Sequence, residues 1–254
     1  MGALVRIEVD DGVATITLDS QHNRNALSRQ LVTELSACLD DAEHAGARAI
    51  VLRHEGPAFC AGADLKERAS SAGSSDPSPA STPMVSVMRR LMETPRPTIA
   101  AVHGAVRAGG IGLMASCDLV VVDREVTFAL TEVRIGVAPA IISVPILRRV
   151  PAAKIATAML TGETFSASDA REMGLVTHVS DDVTATVALL TSGIRAGAPR
   201  AVAETKRILN HVPTLDLDVA FAEMGALSDE LFRGPDATEG MAAFREKRAP
   251  VWSD

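Results

Sequence analysis

The sequence predicts an α/β fold, and three observations carry that prediction. Two apolar runs, Ala49-Ile50-Val51-Leu52 and Thr98-Ile99-Ala100-Ala101-Val102, each end in a turn rich in glycine and alanine that opens a helix. Near the start of the chain, alternating segments Leu4 to Val9 and Val13 to Leu18 flank Asp10-Asp11-Gly12, a turn sequence that favours a hairpin. Beyond Ala140 the pattern becomes one of amphipathic helices, with few residues left for a sheet.

The opening hairpin makes the first two strands antiparallel. Ser28 is placed to cap a helix running to about His44, with Leu31, Leu35 and Leu39 on one face and Gly46 as its stop. A strand over 48–53 leads into GPAFCAGADLKERA at 56–69, and the strand at 98–102 leads into HGAVRAGGIGLMASCD at 103–118. At such a turn the first helical amides have no intrahelical partner, and the helix dipole adds partial positive charge. Each turn therefore attracts a developing negative oxygen, and two facing one pocket can hold a thioester enolate. Between Ala69 and Pro83 the sequence SSAGSSDPSPASTP lacks large apolar residues and predicts a mobile segment. Composition favours an inert surface loop there, and its place just after the first turn allows a substrate-gating lid. Helices are expected near 151–160, 166–173, 183–196, 199–210, 215–232 and 236–248.

Composition bounds the function. At 254 residues and 47% hydrophobic, the chain can bury one sizeable core with a small appendage. Its net charge of -7 argues against nucleic-acid binding by phosphate neutralisation. Cys38, Cys60 and Cys117 are odd in number and lack CxxC spacing, and no charged-then-apolar leader is visible. Reduced thiols and a cytoplasmic protein are expected. The longest apolar neighbourhood, Ile135 to Leu147, contains Pro139 and Pro145 and is too short to span a bilayer. Six scattered histidines without HExxH spacing suggest no metal site, and neither a GxSxG elbow nor a dinucleotide fingerprint is present.

Several segments together carry a family resemblance. They are RNAL at 24–27, FCAGADLKERA at 59–69, PTIAAVHG at 97–104, AGG at 108–110, SCDLVV at 116–121, TEVRIG at 131–136 and EGMAAFREKR at 239–248. On these the chain is identified as a member of the enoyl-CoA hydratase/isomerase (crotonase) superfamily, and FCAGADLKERA and EGMAAFREKR resemble the methylglutaconyl-CoA hydratase branch. The resemblance implies a crotonase-like spiral of ββα units over 1–195. It also implies a C-terminal helical region, 196–254, that covers the active site and forms a trimer interface. The implied partners are an acyl-CoA substrate and further copies of the chain, as a homotrimer or dimer of trimers. No separate cofactor is implied, since coenzyme A is part of the substrate.

Carried over by position, the oxyanion donors are the amides of Ala63 and Gly109, both at places that need small residues. Asp64 reads as a helix cap rather than a catalyst. Glu132, fourteen residues beyond Asp118, falls on the family's second catalytic glutamate. A solvated glutamate paired with Arg134 is its alternative. The first catalytic glutamate is absent, because Gly112 stands three residues after Gly109. VAPAIISVPILRR at 137–149 replaces the family's glycine-rich stretch, and Ala140 lacks the further acid of dienoyl-CoA isomerases. For CoA, the resemblance implies phosphate contacts at Arg24 and Lys247, with Lys66 and Phe244 beside them, and an adenine and pantetheine track along Ala61, Ala63 and Leu65. Arg107 either binds an acidic acyl group, fills the space of the lost glutamate, or pairs structurally with an acid. The whole-chain likeness puts hydration of a 2-enoyl-CoA first, with Glu132 as sole acid/base. Gly112 favours Δ3,Δ2-enoyl-CoA isomerisation, and a CoA-ester binding protein without catalysis is the third reading.

Overall fold

Residues 2–70 and 83–252 are described by the structure, a computed structural model. Nearly all of the predicted mobile segment, residues 71–82, lies outside the described residues. β1 (Val5–Asp10) and β2 (Val13–Leu18) pair antiparallel around Asp11 and Gly12, whose φ values of 45° and 72° suit a tight hairpin turn. α1 (Arg29–His44) follows, its first turn capped by the Ser28 hydroxyl accepting from the Leu31 amide. Its leucines 31, 35 and 39 are buried, as the spacing predicts.

From there one unit recurs. β3 (Ala49–His54) leads into β4 (Ala58–Cys60), then α2 (Leu65–Ser70) and α3 (Pro83–Glu93). β5 (Thr98–Val102) leads into β6 (Ala105–Arg107) and α4 (Gly109–Ala115). β7 (Leu119–Asp123) leads into β8 (Thr127–Ala129) and α5 (Ala140–Leu147). The first strand of each unit joins one sheet and the second joins another, the strand-strand-helix spiral that the sequence implies. Past α6 (Ala152–Thr161) come β9 (Thr164–Ser166), α7 (Ala167–Met173), β10 (His178–Ser180), α8 (Val183–Ala196) and α9 (Pro199–His211), then α10 (Leu217–Phe232) and α11 (Pro235–Glu246). The larger sheet has the order β1-β2-β3-β5-β7-β10, parallel from β2 onward. The smaller has the order β4-β6-β8-β9, with β9 antiparallel.

β3 is apolar over Ala49–Leu52, where both faces of its sheet are covered. Ile50 and Leu52 join the main core with α1, while Val51 lies with Ile99 and Val121 under Val183, Val187, Leu190 and Ile194 of α8. The helical reading beyond Ala140 needs correction, since β9 and β10 extend both sheets there. Each is three residues long with one apolar side chain, too short for a period-two signal. What fixes β9 is non-local: Phe165 stacks on Phe128 across the pair, with ring centroids 5.3 Å apart.

α9 is tied to the sheets by one buried charge. The Lys206 ammonium is only 5% exposed and donates to the carbonyls of Leu91 and Arg96, at 2.8 and 3.0 Å, and to Asp118 at 2.8 Å. Asp118 also accepts from the amide and hydroxyl of Thr98 at the start of β5. Removing Asp118 would strand a buried cation, a loss of about 3–5 kcal/mol. Among the described residues no helix is long and apolar enough to cross a membrane.

Candidate active site

The two glycine and alanine turns interlock. Leu27 donates to the Gly62 carbonyl at 2.8 Å, Ala61 donates to the Arg24 carbonyl at 3.0 Å, and Ala108 donates to Ala129 of β8 at 2.9 Å. Gly62 has φ +93°, and a Cβ there would stand 2.9 Å from the Ala108 Cβ and 3.5 Å from the Gly109 amide nitrogen. Only glycine meets both demands. A Cβ on Gly109 would in turn stand 3.6 Å from the Ala63 amide nitrogen. The two amides chosen from sequence therefore share one small region, and neither has an acceptor among the described residues. Paired free N–H groups at two strand-to-helix turns are the donors an oxyanion needs. Ala108, the residue before α4, takes φ 48° and ψ −122°, a strained state for a residue with a Cβ, costing about 1–3 kcal/mol.

Two polar side chains fix this frame. Asn25 is fully buried; its Oδ1 accepts from the Ser20 amide at 2.6 Å, and its Nδ2 donates to the carbonyls of Glu55 and Ala58. It thereby clamps the 20–27 loop onto the approach to β4, a role that sequence reasoning missed within the RNAL match. Asp64 caps α2, accepting from the amides of Lys66 and Glu67 and from Asn23. Those hydrogen bonds hold its carboxyl below the usual range, led by the Glu67 amide. A structural role for Asp64 matches the reading from sequence.

Glu132 lies in the one-turn helix Thr131–Ile135, three residues beyond Ala129, whose carbonyl holds Ala108. β8 thus touches the second turn three residues before Glu132. It is half-buried, and its Oε2 is enclosed with no hydrogen-bond partner. Burial pushes its carboxyl above the usual glutamate range. Arg134 is not its partner, since that Nε donates to the Thr161 carbonyl at 3.0 Å. A solvated ion pair is therefore not what this residue forms. A half-buried carboxylate with a free oxygen is suited to moving a proton.

The face beside Gly112 is filled. A Cβ on Gly112 would stand 2.4 Å from Ile142 Cγ2 and 2.7 Å from Met88 Cε. Ile142 belongs to α5, built from the apolar stretch in which the sequence departs from its resemblance. Apolar side chains from α3 and α5 occupy the ground where a glutamate on α4 would extend. Arg107 does not fill that space: its guanidinium donates to the carbonyls of Val106 and Thr127 and to the Thr127 hydroxyl, at 2.9, 2.5 and 2.9 Å. It pairs with main chain rather than with the acid expected for a structural arginine, and this tie binds β6 to β8.

The predicted CoA residues divide into two groups. Ala61, Leu65 and Lys66 sit in or just after the first turn, with Leu65 57% exposed, and Arg24 touches that turn through its carbonyl. Phe244 and Lys247 lie at the end of α11, and Phe244 is 85% exposed, so this chain does not hold them against the turns. Burial pushes the thiols of Cys38, Cys60 and Cys117 up to about 11, 12 and 12, which leaves no thiolate nucleophile at neutral pH. Among the described residues no cluster of three His, Cys, Asp or Glu could hold a metal.

A sequence profile described as enoyl-CoA hydratase/isomerase matches residues 8–254. The chain belongs to the enoyl-CoA hydratase/isomerase family. A provisionally named enoyl-CoA hydratase of Thermus thermophilus is 36% identical over 96% of this chain and 99% of its own length. The crystal structure of an enoyl-CoA hydratase from Mycobacterium smegmatis superposes with a TM-score of 0.88 at 34% identity, covering 98% of both chains. The human enoyl-CoA hydratase domain-containing protein 3 gives 0.89 at 28% identity over 98% of this chain and all of that one. The likeness to both structures thus covers nearly the full chain of this family member.

Proposed function

We propose that this chain acts on an enoyl-CoA thioester, and that its principal reaction is Δ3,Δ2 double-bond isomerisation. One observation carries the reading: Glu132, three residues beyond the β8 residue that binds the second turn, keeps an enclosed, unpaired carboxylate oxygen, while the space beside Gly112 is closed by Ile142 and Met88. The Ala63 and Gly109 amides grip the thioester oxygen. Glu132 removes a proton from the α carbon of a 3-enoyl-CoA, the negative charge spreads onto that oxygen, and the same carboxyl returns the proton to the γ carbon. No second carboxylate is needed, and the double bond moves from C3 to C2 with atoms and charge conserved. The closed wall reverses the order that the sequence alone gives the two reactions.

Hydration of a 2-enoyl-CoA by Glu132 alone is the second reading, favoured by relatives named as enoyl-CoA hydratases along nearly their whole length. Incubation with a 3-enoyl-CoA and, separately, with crotonyl-CoA, following conjugated-thioester absorbance, divides them. Absorbance gained from the 3-enoyl ester supports isomerisation; absorbance lost only from crotonyl-CoA rejects it in favour of hydration. Silence on both, with tight CoA-ester binding, points to a binding protein. Exposed Phe221, Phe232 and Phe244 on α10 and α11 support a trimer or a dimer of trimers, in which Phe244 and Lys247 meet a neighbour's CoA. Light scattering checks the assembly.

A further inference from the structure

A second cavity lies at the other end of the strands that carry the active-site turns. β3 and β5 run parallel, Ile50 opposite Thr98, and their C-terminal ends lead through β4 and β6 to those turns. Their N-terminal ends are preceded by Arg48 and by Arg96-Pro97. There a cavity of about 650 Å³ opens between the end of α1, the entry to β5 and the start of α9. A strand of six residues is about 20 Å long, so the cavity is separate from the thioester site.

Its charged lining consists of Arg48, Arg96 and Arg200, with no acid, in a chain of net charge -7. Arg200 is paired with Glu230. Arg48 and Arg96 are half-buried and have only main-chain partners. Arg48 Nη2 donates to the Gly197 carbonyl at 2.6 Å and reaches that of Arg195 at 3.5 Å, and Arg96 Nε donates to the Ala47 carbonyl at 3.1 Å. Both terminal nitrogens of Arg96, and Nε and Nη1 of Arg48, have no acceptor among the described residues and are not sealed from solvent. Carbonyls fix these guanidiniums in place and leave their full charge uncancelled. Two fixed forks with free N–H edges match the several oxygens of a dianionic group better than a single carboxylate. The remaining walls, including Pro95, Pro97 and Val202, offer flat apolar surface to an organic body, and the volume lies within the range of small-molecule sites.

We propose that this cavity is a second binding site, for a small molecule that carries a phosphate group. The test is a titration of the whole protein with pyrophosphate at constant ionic strength, with saturating CoA occupying the thioester site, read as Tm. A saturable rise in Tm is expected, and its half-saturation concentration should increase at least tenfold in Arg96→Met. Ala203→Glu, which adds an acid to the lining without removing a contact, should weaken the response equally and guards against a misfolded Arg96 variant. A rise that is absent, that vanishes when CoA is present, or that survives unchanged in both variants would overturn the proposal.

Discussion

The two halves of the candidate active site are built from different material. The side proposed to grip the oxygen is main chain: the Ala63 and Gly109 amides, brought together by a turn at Gly62 that no larger residue can form. The side to which the proposal assigns the reacting carbons is made of side chains: Glu132, with Ile142 and Met88 filling the space beside Gly112. Main-chain donors need only small residues and a fixed path, so they persist as long as the fold does. A side-chain wall can be rebuilt by substitutions in elements distant in sequence, here α3, α4 and α5. The difference teaches how the proposed division would work: under it the main-chain half holds the thioester oxygen and the apolar wall selects the reaction.

The largest expected effect comes from the one charged member of the second half. Glu132→Gln should lower kcat by about 10²–10⁴-fold, the range for general acid–base catalysis, while CoA-ester affinity measured by calorimetry stays within about twofold. Turnover near the wild-type rate would remove Glu132 from the mechanism and dissolve the comparison. On the main-chain half, Gly109→Ala leaves the amide in place but puts a methyl group 3.6 Å from the Ala63 nitrogen and 3.0 Å from a Leu27 methyl. Leu27 can yield, so the protein should fold, with kcat lowered by about tenfold to a hundredfold because access to the donors is obstructed. An unaltered kcat would show that the oxygen is held elsewhere.

The apolar wall is tested by trying to undo it. Gly112→Glu alone drives a side chain into Ile142, so it should destabilise the fold by about 1–3 kcal/mol, read by denaturant unfolding, and gain no hydration. Joining it to Ile142→Ala opens the space, and the pair should recover part of that stability and hydrate crotonyl-CoA faster than either single variant. A single Gly112→Glu variant that hydrates well would mean that the wall yields freely and does not select the reaction.

The same division explains what was legible in the sequence. β1, β2, β3, β5, α1 and both turns could be read because their signals are local: alternation or a short apolar run, four-residue leucine spacing, and small residues at a strand-to-helix junction. Glu132 was found by register within a resemblance, and Gly112 was recognised as a departure. What fills the space beside Gly112 was not legible, because Ile142 stands thirty residues further on in a stretch without helical periodicity. The Asn25 clamp was hidden for the same reason, since its carbonyl partners Glu55 and Ala58 are 30 and 33 residues away. β9 and β10 escaped notice because three residues carry no period, and their pairing is decided by strands far along the chain. Residue type alone leaves Arg107 open as a ligand for an acidic acyl group, a filler of the lost glutamate's space or a structural partner of an acid; its bonds to Thr127 depend on which strand lies beside β6.

The smallest effect is a difference in stability with pH, and it bears on why an unpaired carboxylate is kept. Burial raises the Glu132 carboxyl above its ordinary value of 4.5, so between that value and the folded-state value the native protein holds a proton that the unfolded chain has released. Native protons then exceed unfolded protons, and stability falls as pH rises through that window. At neutral pH the ionised, partnerless Oε2 remains a net destabilising feature. Glu132→Gln removes the titration, so the variant should melt above the wild type at pH 7, and the gap should narrow as pH falls through the window toward 4.5. The acid limb of kcat/KM should lie above the ordinary glutamate range for the same reason, since turnover requires the carboxylate. Parallel melting curves for variant and wild type from pH 4 to 7 would mean that Glu132 is solvated. A solvated Glu132 would leave the apolar wall with no enclosed base to face.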